Sequence, residues 1–249
     1  MNPVLLWFHR LGSPPQFHRF ARRWAPWLLG ASLPLMAIGL YQALWVVPPD
    51  YQQGDSYRIL FVHVPAAWMS LFIYAVMAVN AFVALVWRIK LSELLAMACA
   101  PIGAGFTALC LATGSLWGKP MWGTWWTWDA RLTSELVLLF MYLGVIGLHA
   151  AIEDRRAAAR AACFLALIGV VNLPIVHFSV DWWNTLHQGS TIRLFGASTM
   201  DASMLPPLIL MALGTKLWFA GSLLRRTRVA LLEAEAGKDW VRKLVEPRQ

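Results

Sequence analysis

A chain of 249 residues with 59% hydrophobic side chains, 14% charged ones and a mean hydropathy of +0.55 is not a soluble globular domain, in which about a quarter of residues carry charge. The net charge of +8, in so apolar a chain, points to cytoplasmic loops and anionic lipid headgroups, with no nucleic acid implied. Cys99, Cys110 and Cys163 form no CxxC pair and fall inside apolar stretches, so they read as small buried hydrophobes and say nothing about redox compartment.

The segment 1–23 is polar and basic, and its short apolar run from Val4 to Phe8 is too brief to span a bilayer. The run from Trp24 to Val47 is too long for a signal-peptide core and no small-x-small cleavage site follows it. It predicts a retained first helix. Five more apolar runs follow: His63 to Val86, Leu94 to Leu116, Ser134 to Ile152, Ala161 to Phe178 and Met204 to Leu223. Each is near the ~20 residues needed to cross a hydrocarbon core, and only helices satisfy the backbone there. The expectation is an all-α integral membrane protein, one membrane domain over 1–249 with six transmembrane helices. The stretch 117–133 forms a tryptophan-rich external loop, 179–203 a second external loop, and 225–249 a tail whose stretch from Leu231 to Val245 suits a surface helix or a solvated arm.

The basic residues fix an expected orientation. Arg10, Arg19, Arg22 and Arg23 precede the first helix; Arg88 and Lys90 lie in the second connection and Arg155, Arg156 and Arg160 in the fourth. The tail carries Arg225, Arg226, Arg228, Lys238, Arg242, Lys243 and Arg248. The opposite side has only Arg58, Lys119, Arg131 and Arg193, while Lys216 snorkels from the last helix. The positive-inside rule then puts both termini in the cytoplasm.

The chemistry concentrates on the outer side. Trp117, Trp122, Trp125, Trp126 and Trp128 fall within twelve residues. An interfacial belt contributes a ring or two per helix end, whereas five rings on a backbone containing Gly118, Pro120 and Gly123 make an aromatic shelf for a flat apolar ligand. His63, at the start of the second helix, and His187, in the third external connection, lie on the same face. Haem uses both features, since its iron takes an imidazole nitrogen from each side and its ring an apolar surface. Arg58 and Arg131 are the first choices for the propionates, against a plain i, i+4 ion pair of Arg131 with Glu135. His9 and His18 read as solvated cytoplasmic residues and His149 lies near the inner end of the fourth helix. His177, at the outer end of the fifth, competes with His187, and topology separates the two only narrowly. Asp129 reads as the head of an Asx turn, with Ser134 or Thr133 as N-cap of the fourth helix.

Two other classes fit less well. A secondary transporter calls for buried charges at mid-membrane, and the acidic residues here read as helix-end or loop residues. A transmembrane cytochrome calls for facing histidines within the bilayer, and His63, His177 and His187 sit at its edge. No P-loop is present, and no hydrolytic or redox active site is recognised.

The run from Trp122 to Asp129 fits the WGxxWxWD signature of haem-handling proteins in cytochrome c maturation. FVHVPAAW, APIGA, WGKPMWGTWWTWDARLTSELVL, GVVNLPI and WWNTLHQGS resemble the heme exporter protein C (CcmC) family of the bacterial system I pathway, from about Pro48 to Ile192. CcmF and CcsA share the signature but are larger. The resemblance implies that His63 and His187 are the external axial ligands of a b-type haem. It implies that the tryptophan-rich loop holds the haem outside the bacterial inner membrane, and that the haem passes to the chaperone CcmE. CcmD and the ABC transporter subunits CcmA and CcmB are the further partners implied.

Overall fold

The computed structural model describes residues 12–187 and 200–245. Helix α1, Pro14–Tyr41, opens with proline in its first turn, where the missing N–H would have no partner anyway. It passes into one π-helical turn, Gln42–Val46. A 3-10 turn, Asp55–Ile59, leads into α2, Leu60–Trp87, and α3 spans Lys90–Trp122. Helix α4 covers Ala130–Ala151. The fifth crossing is composite: α5, Arg155–Ile168, a 3-10 turn Gly169–Val171, and α6, Asn172–Trp182. After a short 3-10 turn, α7 spans Leu205–Ala234 and α8 Asp239–Val245.

Among the described residues six segments are long and apolar enough to cross a membrane: Pro14–Val46, Asp55–Trp87, Lys90–Trp122, Ala130–Ala151, Arg155–Trp182 and Ala202–Ala234. The number matches the expectation but the ends do not. Hydropathy marks only the part of a helix that sits in hydrocarbon. The 33 residues of α3 measure about 50 Å at 1.5 Å per residue, well beyond a core of about 30 Å. Helix α1 therefore begins ten residues before Trp24, and α3 carries Trp117, Gly118, Pro120 and Trp122 as helix rather than loop.

Helix α2 packs along α3, and α1 along α7; α4 joins α3 and α5. Small residues allow the close approach expected of membrane helices. A Cβ on Gly214 would lie 3.3 Å from the Ser32 carbonyl, and one on Gly221 3.1 Å from that of Ala25. The main core joins Met69, Ile73, Tyr74 and Met77 of α2 to Cys99 of α3 and to Leu138, Tyr142 and Val145 of α4. All three cysteines are buried, as expected. Large apolar side chains such as Trp27 and Trp45 stay more than 70% exposed, which suits a lipid solvent.

The expectation of a solvated His18 fails. It is 7% exposed and its ring meets Trp240 of α8 edge-on at 5.7 Å. Trp240 Nε1–H donates to Glu235 at 2.6 Å and Lys90 reaches the same carboxylate at 3.5 Å. The tail thus folds back on α1 instead of continuing as one helix from Leu231.

Candidate functional site

The end of the bundle where α2 starts and α3 stops holds a half-open cavity of about 220 Å³ between α2, α3, α4 and α6. His63, Trp117, Trp122, Arg131, His177 and His187 all line it. Trp125, Trp126, Trp128, Asp129 and Arg58 do not.

His63 sits on the first turn of α2 and is 8% exposed. Its Nδ1 lies 3.1 Å from the Cys110 carbonyl and 3.1 Å from Thr113 Oγ1, both on α3. A carbonyl only accepts, so Nδ1 carries the proton and Nε2 keeps its lone pair. That assignment follows from the hydrogen-bond network, and it is the arrangement that makes a histidine a metal ligand. Gly114 leaves the space the ring needs: a Cβ there would stand 3.1 Å from His63 Cε1. Trp117 meets the ring edge-on at 5.8 Å.

Trp117 is held from the other side. Its Nε1–H donates to Gln53 Oε1 at 3.0 Å. Gln53 belongs to a tight turn in which Asp50 Oδ1 accepts from the N–H groups of Gln52 and Gln53 at 2.9 and 2.8 Å, with Gly54 at φ +57°.

The loop from Gly123 to Asp129 is short. Gly123, at φ +75°, stops α3 in the left-handed conformation glycine favours, and Lys119 donates to its carbonyl at 3.0 Å while lying 5.9 Å from the Trp125 ring. Trp126 and Trp128 pack edge to face at 5.5 Å. The N-cap of α4 is Asp129, not Ser134 or Thr133: its Oδ1 accepts from Leu132 N–H at 2.8 Å. Its other oxygen accepts from the Thr185 hydroxyl, and Thr185 Oγ1 accepts from the His187 backbone N–H at 3.1 Å. One carboxylate thereby ties the tryptophan loop, the start of α4 and the segment carrying His187. The His187 ring lies close to that of His63, centroids 6.2 Å apart with planes at 33°, and 6.2 Å from the Trp122 ring. Asp129→Ala is expected to lower thermal stability by about 1 kcal/mol through loss of the cap alone. Asp129→Asn, which keeps a cap acceptor, should recover most of it; equal melting of wild type and both variants would remove the cap from the account.

The charged candidates separate. Arg131 reaches the cavity and donates to the Val176 and His177 carbonyls at 3.1 and 3.5 Å. The only ion pairs among the described residues are Arg58–Asp55 and Lys90–Glu235, so the alternative to a propionate role for Arg131, an ion pair with Glu135, is not formed. Arg58 bonds Asp55 at 2.8 Å and the Ala43 carbonyl, which fastens the connection after α1. Arg193 lies outside the described residues, as does His9. His177 is exposed and its ring packs on Phe178 at 4.6 Å.

Glu135 was missed. With α4 placed from Ser134, it reads as a helix-end residue. With α4 starting at Ala130 it stands on the second turn of the helix, 6% exposed, in the cavity wall, with Oε1 lacking a hydrogen-bond partner. An acidic group so buried in a membrane span is a functional signal. The Asp129 cap, which starts the helix earlier, was the sequence feature able to reveal it.

The comparisons with known proteins agree with one another. The chain is 53% identical to heme exporter protein C of Escherichia coli K12 over 95% of this chain and 96% of that protein. It is 53% identical to heme exporter protein C of Bradyrhizobium diazoefficiens, over 84% of this chain and 79% of that one. The protein of the same name from Haemophilus influenzae is 47% identical over 96% of this chain and 98% of its own length. The family description "Heme exporter protein C" matches residues 7–242, so the likeness runs through the N-terminal helix and the tail as well as the tryptophan signature, and the chain belongs to the heme exporter protein C family.

Proposed function

We propose that this membrane protein holds haem between His63 and His187 and passes it on during cytochrome c maturation. Membership of the family supports the haem-handling role. The closeness of the two imidazoles carries the assignment of the ligands. A metal–imidazole nitrogen bond is about 2.0 Å, as at zinc, so one metal between two facing rings sets their centroids roughly 6 Å apart. The observed separation is 6.2 Å, and the Nε2 lone pair of His63 is available on the hydrogen-bonding argument above.

In this reading the haem is cargo of the b type. Trp117 and Trp122 bear on the two imidazoles and supply apolar contact. Trp125 and Trp128, 54% and 78% exposed, extend the apolar surface outward. Arg131 is the propionate partner the cavity favours, since its five-donor guanidinium uses only part of its capacity on the Val176 and His177 carbonyls. Arg58 contributes by fixing the loop. A site of this kind, open on one side and closed by two axial ligands, binds firmly and still allows the cargo to be taken by a histidine of CcmE. CcmD and the ABC transporter subunits CcmA and CcmB complete the assembly. The distribution of basic residues supports a reading with both termini in the cytoplasm and the site on the periplasmic face of the bacterial inner membrane.

The test is complementation. Supplied to a host lacking its own family member, this chain is expected to restore haem-bearing CcmE, and His187→Ala is not. Haem-bearing CcmE at wild-type level with His187→Ala would refute the proposal.

A further inference from the structure

His63 is 8% exposed on a helix, and its ring nitrogen meets two acceptors on a neighbouring helix. Thr113 is one of them. Its hydroxyl donates to the Leu109 carbonyl at 2.7 Å, with the Cys110 carbonyl farther, at 3.2 Å. The single proton of that hydroxyl is therefore spent on α3 itself, and the lone pairs of Oγ1 are what face His63 Nδ1–H. The next residue is Gly114, which fixes how closely the ring lies against α3.

We propose that Thr113 is a positioning residue for His63: it orients the imidazole and raises its donor strength. The inference rests on the reading of His63 as an axial ligand. A hydrogen bond from Nδ1–H to an oxygen acceptor makes the opposite nitrogen a stronger base, and loss of such outer partners typically weakens metal binding by about 10–100-fold. A stronger axial base also favours the oxidised iron.

The experiment compares the full-length wild type, Thr113→Val, Thr113→Ser and His63→Ala in one detergent. Each is loaded with haemin and followed by spectroelectrochemistry and by haemin transfer to excess apomyoglobin. Thr113→Val is expected to raise the midpoint potential and to speed haemin loss about tenfold, and Thr113→Ser, which restores the hydroxyl, to return both toward wild type. If Thr113→Val matches wild type in both while His63→Ala loses the spectrum, Thr113 has no positioning role, though His63 remains a ligand. If Thr113→Ser fails as Thr113→Val does, the effect belongs to side-chain size and the inference falls. If His63→Ala keeps the wild-type spectrum, the ligand reading and the inference fall together.

Discussion

Gly114→Val is expected to strip haem from the protein while leaving the helical bundle folded. A Cβ added at this position would stand 3.1 Å from His63 Cε1, tighter than ordinary van der Waals contact, and 3.6 Å from Nδ1. Branching at Cβ adds methyl groups within reach of the ring, which has little room to retreat. Its Nδ1 is engaged with Cys110 and Thr113, and Trp117 closes another side. Overpacking of this kind costs about 1–3 kcal/mol, and about 1.4 kcal/mol is a factor of ten in affinity. The Soret titration with haemin should therefore shift by roughly tenfold or more. Gly114→Ala, which asks the ring to give only slightly, should shift it much less. Wild-type affinity in Gly114→Val would show that the ring position seen here is not the one that binds.

Gly103→Ala is expected to be strongly destabilising. Alanine is the better helix former by about 1 kcal/mol, so any loss must come from contact. The added Cβ would stand 2.1 Å from Tyr142 Cζ and 2.3 Å from its hydroxyl oxygen. Tyr142 is fully buried, lies at 4.9 Å from the Tyr74 ring and donates to the Ser70 carbonyl at 2.7 Å. Displacing it combines overpacking, at about 1–3 kcal/mol, with loss of a buried hydrogen bond, at about 1–3 kcal/mol. The sum, roughly 2–6 kcal/mol, is read as a drop in detergent-solubilised melting temperature. The double variant with Tyr142→Leu should recover part of the loss, because the two residues share one space and their effects are not additive. Strict additivity would place the cause elsewhere.

The sequence made the six crossings legible because apolar runs near 20 residues have few other uses. It blurred their ends, since hydropathy stops at the hydrocarbon edge while α1 and α3 continue past it. That blur propagated into the site. Trp117 and Trp122 read as loop residues, yet they project from the last turns of α3, and Glu135 read as peripheral, yet it is buried in the cavity wall. The meeting of His63 with His187, more than a hundred residues apart in the chain, follows from antiparallel packing that periodicity alone does not specify. Thr113 lies outside every quoted motif, and Thr185, though inside WWNTLHQGS, has no ligand signature of its own; their roles appear only when the hydroxyls are seen against Nδ1 of one histidine and the backbone of the other.

The central claim is the axial pair, and one measurement tests it directly. Wild type, His63→Ala, His187→Ala and His177→Ala are purified in detergent, and Soret-region spectra are recorded with haem quantified per protein. The account predicts that the first two substitutions lose or shift the haem spectrum and that His177→Ala keeps it. The same haem content and the same spectrum in all four proteins would contradict it.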